Sequence, residues 1–254
     1  MNKITAITVS KNYADLLELC IKHNHEIFHK WYIVTQEDDT KTVELIKYLN
    51  YSNVKLFYYP LVPHLSKPEH TQMPFTGDDS KILYNITGHD LITCDELINV
   101  KTEYNKDTNR IIQDNKIHFD KGGAVRYLQN QTSLNENVLI LDSDILISEK
   151  LKHKILHHKL NQNTIYGCHR IDFQTYNDAV NNDLSRSVNY DRNDKVDGYF
   201  QLYINNNTFK YHRSFNASAC DANFTRQFQD KKHVFTEYCY HVGEGGVNWN
   251  GRKI

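Results

Sequence analysis

Val138-Leu139-Ile140-Leu141-Asp142-Ser143-Asp144 sets two carboxylates directly after four apolar residues. An unbroken aliphatic run of this length reads as a central strand covered on both faces. Two acidic groups straight after it cannot be buried unpaired without a heavy penalty, so they must reach water, a cation or hydrogen-bond donors. Side chains two apart on a strand share a face, and Asp142 and Asp144 can therefore converge at the strand's mouth. Hard oxygen ligands in that place suit Mg2+ or Mn2+, and a diphosphate is a natural co-ligand. The triplet alone is a weak signal, since a chain with twenty Asp produces D-x-D by chance. The competing reading is a strand-ending turn with an Asp capping a helix near Ser148.

Upstream of this strand, Asp120 is a candidate N-cap for a helix running to about Gln131, with Ala124, Tyr127 and Leu128 on one face. The first sixty residues alternate in kind. Ile4 to Val9, Trp31 to Thr35 and Val54 to Tyr59 read as strands, and Tyr13 to Phe28 and Val43 to Leu49 as amphipathic helices. Strands alternating with helices predict an α/β domain whose mixed, mainly parallel sheet is flanked by helices, with ligands beyond the carboxyl ends of the strands. All four prolines, Pro60, Pro63, Pro68 and Pro74, interrupt regular structure, and residues 61–117 read as an irregular insertion or flap. Downstream, Leu146 to Leu160 and Asp221 to Phe228 read as helices. Thr164 to Cys168, Tyr199 to Ile204 and His233 to His241 read as strands, the last before a glycine-rich tail.

The chain has 254 residues, 39% of them hydrophobic and 24% charged, which is a globular composition suited to a single domain. Lys and Arg number 30 against 31 Asp and Glu, without a long run of either sign. No electrostatic footprint for a phosphate backbone follows, and nucleic acid is not an expected partner. No apolar stretch is long enough to span a bilayer, and Met1 to Ser10 lacks the pattern of a signal peptide, so the expected location is cytoplasmic. Cys20, Cys94, Cys168, Cys220 and Cys239 are scattered without a C-x-x-C pair and read as reduced thiols.

An apolar run ending in Asp142-Ser143-Asp144 resembles the D-x-D strand of nucleotide-sugar glycosyltransferases with the glycosyltransferase A fold. Ile4 to Val9 with Asn12-Tyr13-Ala14-Asp15-Leu16-Leu17 is similar to the opening strand and helix of that family. Phe119-Asp120-Lys121-Gly122-Gly123-Ala124 is similar to its F-N-K-G-x-A segment, and His241-Val242-Gly243 with Asn248-Trp249-Asn250-Gly251-Arg252 to its H-x-G and N-W-x-G-R ending. The resemblance covers residues 1 to about 60 and 118 to 254. It implies a nucleotide-binding half over 1–60 and a metal and acceptor half over 118–254.

The resemblance further implies a nucleoside-diphosphate sugar donor, uridine-linked, a glycan or other hydroxyl acceptor, and Mn2+ or Mg2+ as cofactor. It assigns the ion to Asp144, with Asp142 assisting or holding ribose and His241 as a third ligand. Lys121, at a helix start where free N–H groups favour an anion, and Arg252 in the tail would neutralise the diphosphate. Asp38 and Asp39 would contact uracil and ribose, although two Asp before a helix are also ordinary capping chemistry. Ser10 and Tyr13 are further base-contact candidates. Asp221 stands where the family places the carboxylate that takes the acceptor's proton in an inverting transfer, and Cys220 and Ala222 depart from the family's acidic cluster there. A helix N-cap is the competing role for Asp221. Asp197, Gly198, Tyr199 and Gln201, with Trp249, would shape the sugar and acceptor pocket.

Two other enzyme classes compete. His153 and His157 lie one helical turn apart, as in a metal-dependent hydrolase, but the Glu of H-E-x-x-H is missing and Lys152, Lys154 and Lys159 surround the pair. A sugar-1-phosphate nucleotidyltransferase would carry a glycine-rich basic loop after the first strand, and Val9-Ser10-Lys11-Asn12-Tyr13 has no glycine. A binding-only relative would have no need of Asp142, Asp144, Asp221 and His241 together.

Overall fold

The strand β1 (Ile4–Val9) and its neighbour β2 (Lys30–Thr35) are built from β-branched and aromatic residues buried almost throughout, the composition of strands covered on both faces. A computed structural model of the chain describes residues 1–59, 120–173, 177–178, 181, 183–185, 187–190, 195–212, 217–229 and 231–242. Between β1 and β2, helix α1 (Ala14–Asn24) buries Leu16, Leu17, Cys20 and Ile21 along one face. A 3-10 turn over His25–Ile27 follows it. Helix α2 (Thr40–Leu49) starts three residues before the expected Val43 because the Asp39 carboxylate caps it, and it ends at Asn50 in the left-handed region. β3 (Val54–Tyr58) closes the first half.

Helix α3 (Lys121–Gln129) is capped by Asp120, as the sequence predicts, and leads to β4 (Asn137–Leu141). β3, β2, β1 and β4 are all joined in parallel, so their carboxyl ends share one edge. On β4, Leu139 and Leu141 enter one buried cluster and Val138 and Ile140 the other, the two-faced burial that the apolar run predicts.

The second half departs from the reading in its boundaries. The expected helix over Leu146 to Leu160 is a short strand, β5 (Ile145–Ile147), then helix α4 (Glu149–His157), divided where Ser148 accepts a hydrogen bond from Leu151 N. β6 (Ile165–Asp172) runs four residues past the expected Cys168. The short β7 (Val188–Tyr190) pairs with it, and its three residues are too few to declare a period. β8 (Phe200–Ile204) lies antiparallel to β4. Helix α5 (Ala217–Arg226) begins well before Asp221, which therefore sits inside the helix and not at its N-cap. The last strand is β9 (Lys232–His241).

One nine-stranded sheet runs in the order β3-β2-β1-β4-β8-β6-β9-β5, with β7 beside β6. β8 is antiparallel to both β4 and β6, and β6 is parallel to β9. Two reversals restore direction, so β4, β6 and β9 all end at the same edge. Cys20, Cys168, Cys220 and Cys239 are buried and form no disulfide among the described residues. Among the described residues no helix is long and apolar enough to cross a membrane. The insertion over 61–117, Cys94, and Trp249 and Arg252 in the tail lie outside the described residues.

Candidate active site

Asp142 continues the β4 ladder by one bond, its N–H donating to Tyr199 O at 3.1 Å. The chain then turns through Ser143 and Asp144 into β5. The two aspartates leave this turn toward different partners. Asp142 Oδ1 accepts from Lys121 Nζ at 2.8 Å, and Asp144 Oδ2 lies 3.2 Å from His241 Nε2.

Lys121 is the hub of the first arm. Its side chain is only 7% exposed, and the ammonium also donates to Asp221 Oδ2 at 2.9 Å, tying β4 to α5. Burial alone would lower Lys121, but Asp142 and Asp221 outweigh it and push the ammonium up. Burial raises Asp142 to about 6, helped by Asp221 and Asp144 and opposed by Lys121. Asp221 Oδ1 accepts from Tyr211 Oη at 2.9 Å. The Tyr211 hydroxyl also meets Gln201 Oε1, while Gln201 Nε2 donates to Thr225 Oγ1 at 2.8 Å. Two glycines allow this closeness. A Cβ on Gly122 would stand 2.0 Å from His212 O, and one on Gly198 would stand 1.9 Å from Asp221 Oδ2.

The second arm runs the other way from the turn. His241 Nδ1 faces Asp172 Oδ1 at 3.5 Å, and Asp172 is gripped by Arg170, with Nε at 2.6 Å from Oδ1 and Nη2 at 3.1 Å from Oδ2. Arg170 lies over the Tyr199 ring at 4.9 Å. Burial would lower His241, but Asp144 and Asp172 outweigh it and push the imidazole up to about 10. Burial would likewise raise Asp144, but His241 holds its carboxyl below the usual range.

The remaining sequence-derived candidates divide by exposure. Asp39 accepts from Thr42 N at 3.3 Å, Thr35 Oγ1 at 2.9 Å and Asn12 N at 2.9 Å, so its carboxylate works inside the fold. Asp38 is exposed and pairs with Lys11 at 2.5 Å. Ser10 Oγ, at the end of β1, is buried without a hydrogen-bond partner among the described residues. Tyr13 packs its ring into the core beside α1. Asp197 is half-buried, its carbonyl accepting from Phe200 N at 3.4 Å. Gln201 is fully buried, and Tyr199 turns inward to donate from Oη to Cys168 O at 2.6 Å. The Tyr199 ring is thus taken up by the core and Arg170, and Gln201 meets the site through Tyr211 and through its Nε2, which lies 3.3 Å from Asp221 O. His153 and His157 are exposed on α4, their rings 4.5 Å apart.

Arg170, Asp172 and Tyr211 were not singled out by the sequence. Arg170 and Asp172 share a face of β6, a spacing like that of Asp142 and Asp144, but the strand was expected to end at Cys168. Tyr211 has no local signal, because only the fold brings it to Asp221.

The carboxylates and imidazole fit a hard divalent ion. Asp144 Oδ2 and His241 Nε2, 3.2 Å apart, are spaced like neighbouring ligands of an octahedral ion, whose bonds of about 2.1 Å give edges of about 3 Å. Among the described residues no three His, Cys, Asp or Glu side chains already form a metal-holding group. The pair could supply one corner of a shell that other oxygens complete.

No family model and no curated protein matches the sequence. Solved structures that align include 4-diphosphocytidyl-2C-methyl-D-erythritol synthase from Anaerococcus prevotii DSM 20548, at 11% identity and a TM-score of 0.37, over 93% of this chain and 89% of that one. A second structure of that synthase aligns at 10% identity and 0.39, with the same coverage. Mouse xyloside xylosyltransferase 1, in its apo form, aligns at 7% identity and 0.31, over 90% of this chain and 72% of its own. Scores this low superpose the elements only loosely, and no residue role is carried over from them.

Proposed function

We propose that the chain is a divalent-metal-dependent glycosyltransferase that moves a sugar from a nucleoside-diphosphate donor, uridine-linked, to a hydroxyl acceptor with inversion. The observation that carries this reading is the turn after β4, where one carboxylate joins an imidazole and the other is tied through Lys121 to a third carboxylate, Asp221. Asp144 and His241 would hold Mn2+ or Mg2+, with Asp142 beside them. The ion, when bound, supplies Lewis-acid stabilisation for charge growing on a diphosphate leaving group.

Asp221 is the proposed general base. Its two oxygens accept from Tyr211 and Lys121, which fixes the carboxylate and leaves lone pairs for the acceptor hydroxyl. Lys121 orders Asp142 and Asp221 against each other and offers a third N–H to an anion. The donor's nucleoside lies, on this reading, beyond the carboxyl ends of β1 and β2, where Ser10 Oγ, without a hydrogen-bond partner among the described residues, and exposed Asp38 stand. Trp249 and Arg252 would come to the donor from the tail.

A thermal-shift panel of nucleotide sugars with and without Mn2+ tests the reading. One uridine sugar should stabilise the protein only with metal, by about 2.7 kcal/mol at a hundredfold excess over its Kd, and Asp144→Ala should remove the effect. Asp221→Asn should abolish turnover with donor binding kept, and NMR of the product should show inversion. Stabilisation by metal alone that survives Asp144→Ala and disappears in His157→Ala would transfer the reading to hydrolysis. Pyrophosphate release from UTP and a sugar phosphate would transfer it to nucleotidyl transfer.

A further inference from the structure

We propose that Asp172 is a positioning residue for His241, fixing the imidazole so that Nε2 faces Asp144. This rests on the metal-dependent reading above, in which that pair forms the corner for the ion. The placement begins with strand register. β6 and β9 run parallel, their register shifts between Cys168 and His169, and beyond the shift Asp172 is the direct partner of His241. On the other side of β9, Ile145, next to Asp144, is the antiparallel partner of the same His241. The imidazole therefore stands between two carboxylates set by main-chain pairing, and Val242 N donating to Asp144 O at 2.9 Å and Phe173 N to His241 O at 3.0 Å lock the three backbones.

The side chains follow. His241 is 13% exposed, and its Nδ1 is buried without a hydrogen bond among the described residues, with Asp172 Oδ1 in front of it at 3.5 Å. A buried ring nitrogen needs an acceptor or donor, and a carboxylate takes its N–H, which presents the opposite nitrogen to a ligand. Asp172 is held in place, because Arg170 Nη2 donates to its Oδ2, the Arg170 Nε lies 2.6 Å from its Oδ1 as an ion pair, and the guanidinium rests on Tyr199. Tyr199 is in turn anchored to Cys168 O. Tyr199, Arg170, Asp172 and His241 thus form one chain of supports ending at the corner, and Tyr199 enters the site's chemistry from behind.

The test uses the full chain with 15N-labelled histidine and a double-mutant cycle. Without metal, a His241 ring Nδ1–H proton, shifted downfield and protected from exchange, is expected in the wild type and lost in Asp172→Asn. By calorimetry with Mn2+ alone, Asp172→Asn should bind about 10–100-fold more weakly. In a His241→Ala background the same change should alter Mn2+ affinity by less than about twofold, because Asp172 acts only through the ring. An equal loss in both backgrounds, or an Nδ1–H resonance unchanged in Asp172→Asn, overturns the proposal. If the wild type takes up no Mn2+, the metal-dependent reading fails and the resonance alone decides the role of Asp172. Should Asp172→Asn not fold, Arg170→Gln with Asp172→Asn removes both charges together, and the same resonance is read there.

Discussion

Gly198 and Lys121 show how single residues set the geometry of the candidate base. Asp221 fills the space in which any other residue at 198 would carry its Cβ, with Cγ only 2.1 Å from that point and Asp221 Cβ 2.6 Å from it. Gly198→Ala must push helix α5 or the base aside, so a stability loss of about 1–3 kcal/mol is expected together with slower transfer. Urea unfolding and a turnover assay on one preparation check both. Lys121 presents the opposite case, since its charge is wanted and not merely tolerated. Lys121→Met would leave Asp142 and Asp221 facing each other without their shared cation, and because the Asp142 side chain is 36% exposed to water while that of Asp221 is 14% exposed, a loss of about 1–3 kcal/mol is expected. Chemical denaturation of the two proteins measures it, and a variant as stable as the wild type would show that water replaces the ammonium at no cost.

At the scale of elements, the neighbouring acids before α2 separate by what they touch. Asp39 caps the helix and holds Asn12 in its turn, a residue with φ of 62°, whereas among the described residues Asp38 meets only the Lys11 ammonium at the surface. Asp39→Ala should therefore lower stability by about 1–2 kcal/mol, and Asp38→Ala by less than about 0.5 kcal/mol. Thermal melts of the pair decide it, and equal losses would contradict the division. This was half legible in the sequence, because Asp-Asp before an amphipathic run signals a cap but not which of the two performs it. The β1-α1-β2-α2-β3 order was readable from apolar runs and helical spacing, but the helix ends were not: the helix expected over Tyr13 to Phe28 stops at Asn24 before a 3-10 turn, and α2 begins at Thr40. The break at Ser148 was hidden because Ile145, Leu146 and Ile147 fit a helical face as well as a strand. The candidate site was legible in position, though not in role, where motif and strand end coincide, at Asp142 and Asp144. It was illegible at Tyr211 and Asp172, whose roles come from helix packing and from a register shift that no local pattern records.

Over the whole molecule, the sheet assembles the site by direction of travel. β4, β6 and β9 come from distant parts of the chain, yet passage through β8 aligns them so that Asp142, Asp172 and His241 all lie at strand carboxyl ends on one edge. The opposite edge has its own fastening, which can be weakened without touching the chemistry. Just before β4, Glu136 accepts from the Thr5 hydroxyl on β1 and from Ser133 N at 2.8 Å, and it pairs with Lys30 of β2 at 3.4 Å. Burial would raise this carboxyl, but these donors and the Lys30 charge outweigh it and hold it below the usual glutamate range. A carboxyl lowered in the folded state binds its proton more readily once the chain unfolds. Its stabilisation is therefore complete above pH 4.5, the ordinary value, and is lost as pH falls through the lower folded value. Glu136→Gln should be about 1–2 kcal/mol less stable at pH 7, and its deficit should shrink steadily as the two proteins are acidified below pH 4.5. Parallel urea titrations across that window measure the gap. A deficit that stayed constant into acid would mean that the Glu136 charge contributes nothing and that shape alone fastens the three strands.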